Sequence, residues 1–286
     1  MSALLAKLNS PAPVILAPTG MVPTRRMTPH VPLTPAEIAA DVARCASIGI
    51  SAVHLHARDV EGEPAWEREI YREMIGRIRE ITPDIVINVS TSGRNWSELE
   101  KRADVLALDG DAKPDMASLT LSSLNFLSGP SVNSPEVIRG LATIMRDRGI
   151  TPELEIFDLG MLNFATVLRK EGILVGPVAA NLFFGNIAGM QPTLSEIGLA
   201  VERVPEQATW LGAGIGDFQP VAQALSIAAG GGVRVGLEDG IFFDRARTQL
   251  ATNASLVERV HAMLATAGRS AATPDEYRRD VLGRSL

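Results

Sequence analysis

An alternation sustained along the whole chain is the strongest constraint on its fold. Short apolar, β-branched runs recur, each followed by a polar or glycine-containing loop and then by a helical pattern. The first run is Val14-Ile15-Leu16-Ala17, closed by Pro18-Thr19-Gly20. Further strands are expected at 52–56, 85–90, 116–121, 153–156, 178–183, from Thr209 and at 233–235, with 105–108 competing for the fourth position. Gly212-Ala213-Gly214-Ile215-Gly216 reads as the loop after the seventh strand. Between these runs, Thr34-Pro35-Ala36-Glu37, Ser134-Pro135-Glu136 and Thr193-Leu194-Ser195-Glu196 carry helix-start signals. Helices are also expected over 66–80, from Ser97, over 159–170, up to Ala229, over 248–265 and after Pro274.

Strands that alternate with helices form a parallel sheet covered by those helices, and eight such units favour closure over an open doubly wound sheet. The fold class is therefore α/β, a (β/α)8 TIM barrel. With no linker or composition break, residues 1–286 read as one domain, the barrel proper over 14–268 and a short helical extension after it. Closure carries a functional corollary, because catalytic groups in such barrels sit at the C-terminal ends of the strands.

Charge and cysteine usage narrow the partners. A net charge of −6 without any lysine or arginine run lacks the footprint of a nucleic-acid binder or a polybasic membrane anchor. Small molecules are the expected ligands. The single Cys45 makes neither a disulfide framework nor a multi-cysteine metal site. The N-terminus has no secretory pattern and no later run is apolar enough to span a bilayer, so the expected location is cytoplasmic.

The second strand, Ala52-Val53-His54-Leu55-His56, places two imidazoles on one face while Val53 and Leu55 face the other way. Such a pair is either half-buried structural histidine or two ligands of one metal ion. Glu238 follows the eighth strand, which closure brings beside the first and one position from the second. Two histidines and a carboxylate form the donor set of a catalytic rather than a structural zinc site. Arg234, within the last apolar strand, needs an anionic partner inside the barrel, and Asp239 or a substrate carboxylate can supply it.

Other strand ends are polar: Ser90-Thr91-Ser92-Gly93, Ser118 and Thr120, Glu153 and Glu155, and Asn181. Each alone fits either an oxyanion-binding role or routine pairing with the backbone. The glycine run after strand seven does not match the dinucleotide fingerprint, so no NAD site is inferred.

Taken together, PTG with Thr24-Arg25, HLHAR with Asp59 and Gly62, NVSTSG, Met116-Ala117-Ser118-Leu119, Leu124-Asn125-Phe126, PELEIFDLGM and GGGVRVGLEDGIF resemble the β-keto acid cleavage enzymes, over about 14–282. That resemblance implies a homo-oligomeric barrel, a tetramer, with Zn2+ or a similar divalent ion on His54, His56 and Glu238. It implies that a β-keto acid and the co-substrate acetyl-CoA give acetoacetate and a new acyl-CoA. It also implies catalytic roles for Arg234, Asp239, Ser90 and Ser118, the last standing where the family's best-known member has threonine. Thr91, Glu155 and Val22 are then the substrate-binding candidates. Val22 replaces an acidic residue that meets a substrate amine in that member, which points to a less cationic or uncharged keto acid here.

Three other readings fit parts of the pattern. A metal-dependent hydrolase with HxH normally has it on the first strand with further histidines later, whereas the others here are His30 and His261. A metal-dependent aldolase would use the same donors without CoA. A non-catalytic metabolite-binding barrel would have to carry the same polar cluster without using it.

Overall fold

A computed structural model describes residues 8–284. Eight parallel strands close a barrel: β1 (Val14–Leu16), β2 (Ala52–Leu55), β3 (Val86–Val89), β4 (Met116–Thr120), β5 (Thr151–Ile156), β6 (Val178–Phe184), β7 (Ala208–Gly214) and β8 (Gly232–Val235). Each strand pairs with its neighbour in sequence, and β8 returns to β1 with Arg234 opposite Ile15. Every residue of β2, β3, β4, β6 and β8 is buried, as parallel strands covered on both faces require. The outer faces, Val53 and Leu55 among them, pack beneath the surrounding helices.

Those helices are α1 (Pro35–Ile48), α2 (Arg68–Ile81), α3 (Leu99–Ala103), α4 (Pro135–Arg148), α5 (Leu159–Lys170), α6 (Leu194–Arg203), α7 (Gln219–Ala228), α8 (Asn253–Thr266) and α9 (Pro274–Asp280). Among the described residues, none is long and apolar enough to cross a membrane. α1 begins as its sequence indicates: the Thr34 hydroxyl accepts from Glu37 N–H, and the Glu37 carboxylate accepts from Thr34 N–H. At the lower end of the barrel, Ile15, Ala52, Val86, Met116, Ala179 and Leu211 form an apolar layer. Tyr277 of α9 and the following Val281 and Leu282 plug that layer from below, leaving the opposite end open for a site.

Several boundaries differ from the sequence expectation for identifiable reasons. The competing segment falls in a 3-10 turn, Asp104–Ala107, with Val105 and Leu106 buried, so Met116–Thr120 alone supplies the fourth strand. β7 runs on through Gly212 and Gly214 instead of ending at Leu211. The absent side chain serves helix packing there: a Cβ on Gly214 would lie 2.4 Å from the Phe218 carbonyl oxygen and 2.5 Å from Gln219 Cα. The last long helix starts at Asn253, not Thr248, because the Asp244 carboxylate accepts from the Thr248 and Gln249 amides and holds them in a turn. α2 starts two residues after Trp66 because Pro64–Ala65 pairs with Ala57–Arg58 in a small hairpin.

Candidate active site

β2 delivers His54 from inside the barrel and His56 from just past its end, and their Nε2 atoms lie 3.1 Å apart. Glu238, carried by the turn after β8, brings Oε1 to 3.1 Å from His56 Nε2 and Oε2 to 4.0 Å from His54 Nε2. One donor atom from each of the three falls within 4.8 Å of the others. The turn after β1 adapts to this carboxylate: Gly20 adopts φ +67°, and a Cβ there would strike Glu238 Cγ at 2.4 Å. Arg58, of the same HLHAR motif, ties that turn down by donating to the carbonyls of Gly20, Pro23 and Gly62.

His54 is held from behind. Its Nδ1 lies 3.2 Å from Glu153 Oε2 and 3.0 Å from the Asn88 amide, while the Asn181 amide donates to Glu153 Oε1 at 2.8 Å. A carboxylate this close to one ring nitrogen is the usual support of a metal-binding histidine. Asn88 is thus a member of the site that sequence motifs do not single out, and Glu153 and Asn181, visible in the sequence as polar strand ends, gain here a role as support for His54. The signal available is period two: Glu153 shares the inward face of β5 with Glu155, as His54 does with His56 on β2.

Arg234 occupies the centre of this end. It donates from Nε to Asp239 Oδ2 at 2.9 Å, and its Nη2 lies 2.7 Å from Glu238 Oε1. Its Nη1 is buried without a hydrogen-bond partner among the described residues, as is Glu238 Oε2. A buried donor and a buried acceptor left without partners in one site are unusual, and both belong to a place where another group can bind.

Electrostatics agree with that geometry. Burial drives the His56 imidazole down to about 4 against the pull of Glu238, so it is neutral near pH 7. Burial also opposes ionisation of Glu238, yet Arg234, His56 and His54 outweigh it and keep that carboxylate ionised. Asp239 is pushed up to about 6 by burial, with Glu238 adding to the effect and Arg234 resisting it. Burial and Arg234 oppose protonation of His54, but Glu238 and Glu153 raise its value overall.

A cleft of about 600 Å3 opens over these residues. His56, Glu238, Arg234, Asp239, Ser90 and Glu155 line it, with Val22 at the rim. Ser90 Oγ accepts from Ser92 N–H at 3.2 Å, leaving its own proton free to donate. Glu155 accepts from the Thr120 hydroxyl at 2.5 Å, and burial raises its carboxyl. Ser118 and Thr91 are not brought to the cleft. Thr91 N–H donates to Ser118 Oγ and the Thr91 hydroxyl donates to the Ser118 carbonyl, a mutual clasp that holds the end of β3 against β4.

A closed parallel barrel whose open end gathers two histidines and a carboxylate that could hold a metal ion, beside a buried and ion-paired arginine, has the architecture of a TIM-barrel enzyme. The chain belongs to the β-keto acid cleavage enzyme family, whose profile matches residues 11–283. It is 36% identical over 259 residues to a 3-keto-5-aminohexanoate cleavage enzyme of Fusobacterium nucleatum subsp. nucleatum, covering 89% of this chain and 92% of that one. It is 34% identical to a 3-oxoadipate:acetyl-CoA acetyltransferase of Cupriavidus necator, covering 95% and 94%. A 3-dehydrocarnitine:acetyl-CoA trimethylamine transferase of Rhizobium meliloti is also 34% identical, covering 96% and 97%. Among solved structures, apo ObcA superposes with a TM-score of 0.76 at 21% identity, over 88% of this chain and 65% of that one, a likeness of fold alone.

Proposed function

We propose that this protein transfers a two-carbon unit from a β-keto acid to acetyl-CoA, releasing acetoacetate and a new acyl-CoA, with a divalent ion, zinc, held by His54, His56 and Glu238. In that conversion the C2–C3 bond of the keto acid breaks and C2 joins the acetyl carbonyl carbon. The CoA sulfur ends on the remaining acyl carbon. The observation that carries this reading is the convergence of the three donor atoms beside Arg234 in a family of acetyl-CoA-linked enzymes. The buried acceptor left over on Glu238 and the lone pairs of two neutral-capable imidazoles fit a borderline cation such as zinc. When bound, such an ion polarises the carboxylate and keto oxygens of the acid.

The chain's own groups account for the rest. Arg234, fixed by Asp239 and Glu238, has Nη1 free to stabilise the oxyanion charge that develops as the carbon–carbon bond forms or breaks. Ser90 Oγ offers a second donor at the cleft wall. Phe126, Phe157 and Phe183 line the same cleft and exclude water, which protects both the thioester and the developing carbanion from side reactions. The apolar Val22 at the rim favours a keto acid without a cationic substituent. The proposal includes a homo-oligomeric assembly, measurable by light scattering.

Metal content and acetyl-CoA-dependent acetoacetate formation test the reading in the wild type, His54→Ala, Glu238→Ala and Arg234→Ala. The expected result is one equivalent of zinc in the wild type and its loss, with activity, in both ligand variants. Full metal occupancy in both ligand variants contradicts the donor set. Normal turnover by a folded Arg234→Ala removes that residue from the reaction.

A further inference from the structure

Three arginines line the cleft, and two of them are neutralised. Arg234 is paired with Asp239 and Glu238, and Arg247 with Asp217, whose Oδ2 lies 3.0 Å from its Nη2. Arg94 is the third. Its guanidinium stands over the Phe126 ring, 3.8 Å from the centroid, and has neither a hydrogen bond nor an ion pair among the described residues. The segment carrying it is fixed by two successive bonds, Ser92 N–H to Ser90 Oγ at 3.2 Å and Arg94 N–H to Ser92 Oγ at 3.3 Å.

Beneath Arg94 the aromatic rings form a continuous wall. Phe126 meets Phe157 edge to face at 5.5 Å, Phe157 stacks on Phe183 at 4.5 Å, and the Arg234 guanidinium lies 5.1 Å from the Phe183 centroid. At one end of this wall stands the fixed cation beside the metal-ligand set. At the other stands a cation with no counter-charge of its own. Burial disfavours the charge on Arg94, and the carboxylates of Glu238, Glu155 and Asp239 offset this only from a distance. Glu155, on β5, makes no ion pair with Arg94 among the described residues and accepts the Thr120 hydroxyl through Oε2.

We propose that Arg94 selects the end of the substrate remote from the reacting carbons, and that this end carries a second carboxylate. This rests on the β-keto acid reaction proposed above. A guanidinium offers two parallel donors to a carboxylate, and its stacking on Phe126 presents it in one orientation. The methylenes between the two ends of a keto diacid lie along the three phenylalanine rings. The phosphates of CoA are the other anions that reach this cleft, and the same measurements separate the two.

The test compares kcat/KM of the metal-loaded wild type, Arg94→Gln and Arg94→Lys for 3-oxoadipate and for 3-oxohexanoate, which has the same chain length without the terminal carboxylate. The KM for acetyl-CoA is measured alongside. The expected result is a wild-type preference for the diacid and a fall of about 10- to 100-fold in the diacid-to-monoacid ratio in Arg94→Gln, the size of a charged hydrogen-bond pair. Arg94→Lys, which keeps the charge without the fork, is expected to fall between them. An unchanged ratio, an effect confined to the acetyl-CoA KM, or a wild type that prefers the monoacid overturns the assignment. Turnover of 3-oxohexanoate without preference for the diacid overturns it while leaving the β-keto acid reaction standing. If neither acid is turned over, calorimetric binding of 3-oxoadipate decides: binding weakened by a similar factor in Arg94→Gln supports the assignment, and equal or absent binding overturns it.

Discussion

At the scale of single residues, the site separates groups that sequence motifs reveal from groups that only strand register reveals. His54, His56 and Glu238 are legible because HxH on a strand and an acidic turn after the last strand have a chemical meaning on their own. Glu153 and Asn181 are legible only as polar strand ends and Asn88 not at all, because a lone polar residue in an apolar strand does not announce which neighbour it meets. His54 lies opposite Asn88 across β2 and β3, and Glu153 reaches it from the far side of the barrel. Glu153→Gln therefore tests the supporting layer: zinc affinity, measured by competition with a chelating dye, is expected to fall about 10- to 100-fold while the fold persists. Arg234→Ala is a different kind of change. It leaves Asp239 and Glu238 buried without their cation, and urea unfolding is expected to register a loss of about 3–5 kcal/mol. Loss of activity in that variant must therefore be read against its remaining folded fraction.

At the scale of elements, local signals worked where the cap itself carries the information. The Thr34 and Glu37 pair that starts α1 is one case, and Glu37 has a further consequence for pH. Partial burial pushes its carboxyl up, but hydrogen bonds from Thr34 N–H, the Arg25 guanidinium and Leu33 N–H outweigh it and bring it down to about 2 from an ordinary value of 4.5. A carboxyl depressed on folding adds stability above its unfolded value and loses it as pH falls toward the folded one. The wild type is thus expected to exceed Glu37→Gln in thermal midpoint near pH 6, with the gap closing between about pH 4.5 and 2. A gap that persists unchanged at pH 2 contradicts this account. The glycines of β7 were not legible, because a glycine run marks a loop equally well as a strand pressed against a helix. Gly214→Ala is expected to cost about 1–3 kcal/mol in denaturant unfolding, since its Cβ would meet the Phe218 and Gln219 backbone and not a yielding side chain.

At the scale of the whole molecule, barrel closure brings Glu238 to a pair of histidines more than 180 residues earlier in the chain. Eight alternating units made that closure legible, and hence the end of the barrel at which chemistry belongs. The plug at the other end was visible only as a short helix after Pro274. Tyr277, fully buried there, is a measure of it: Tyr277→Ala is expected to lose about 3–5 kcal/mol. Tyr277→Phe should stay within about 1 kcal/mol of the wild type, because the hydroxyl has no hydrogen-bond partner among the described residues. The most direct test of the proposed activity follows one carbon through the reaction. Zinc-loaded protein is given a β-keto acid and acetyl-CoA labelled with 13C at the acetyl carbonyl, and the products are read by NMR. The expected result is label in the ketone carbon of acetoacetate, an equal amount of unlabelled new acyl-CoA, and no cleavage when acetyl-CoA is omitted. Cleavage without acetyl-CoA, or label that stays in the thioester while the keto acid is consumed, would contradict it.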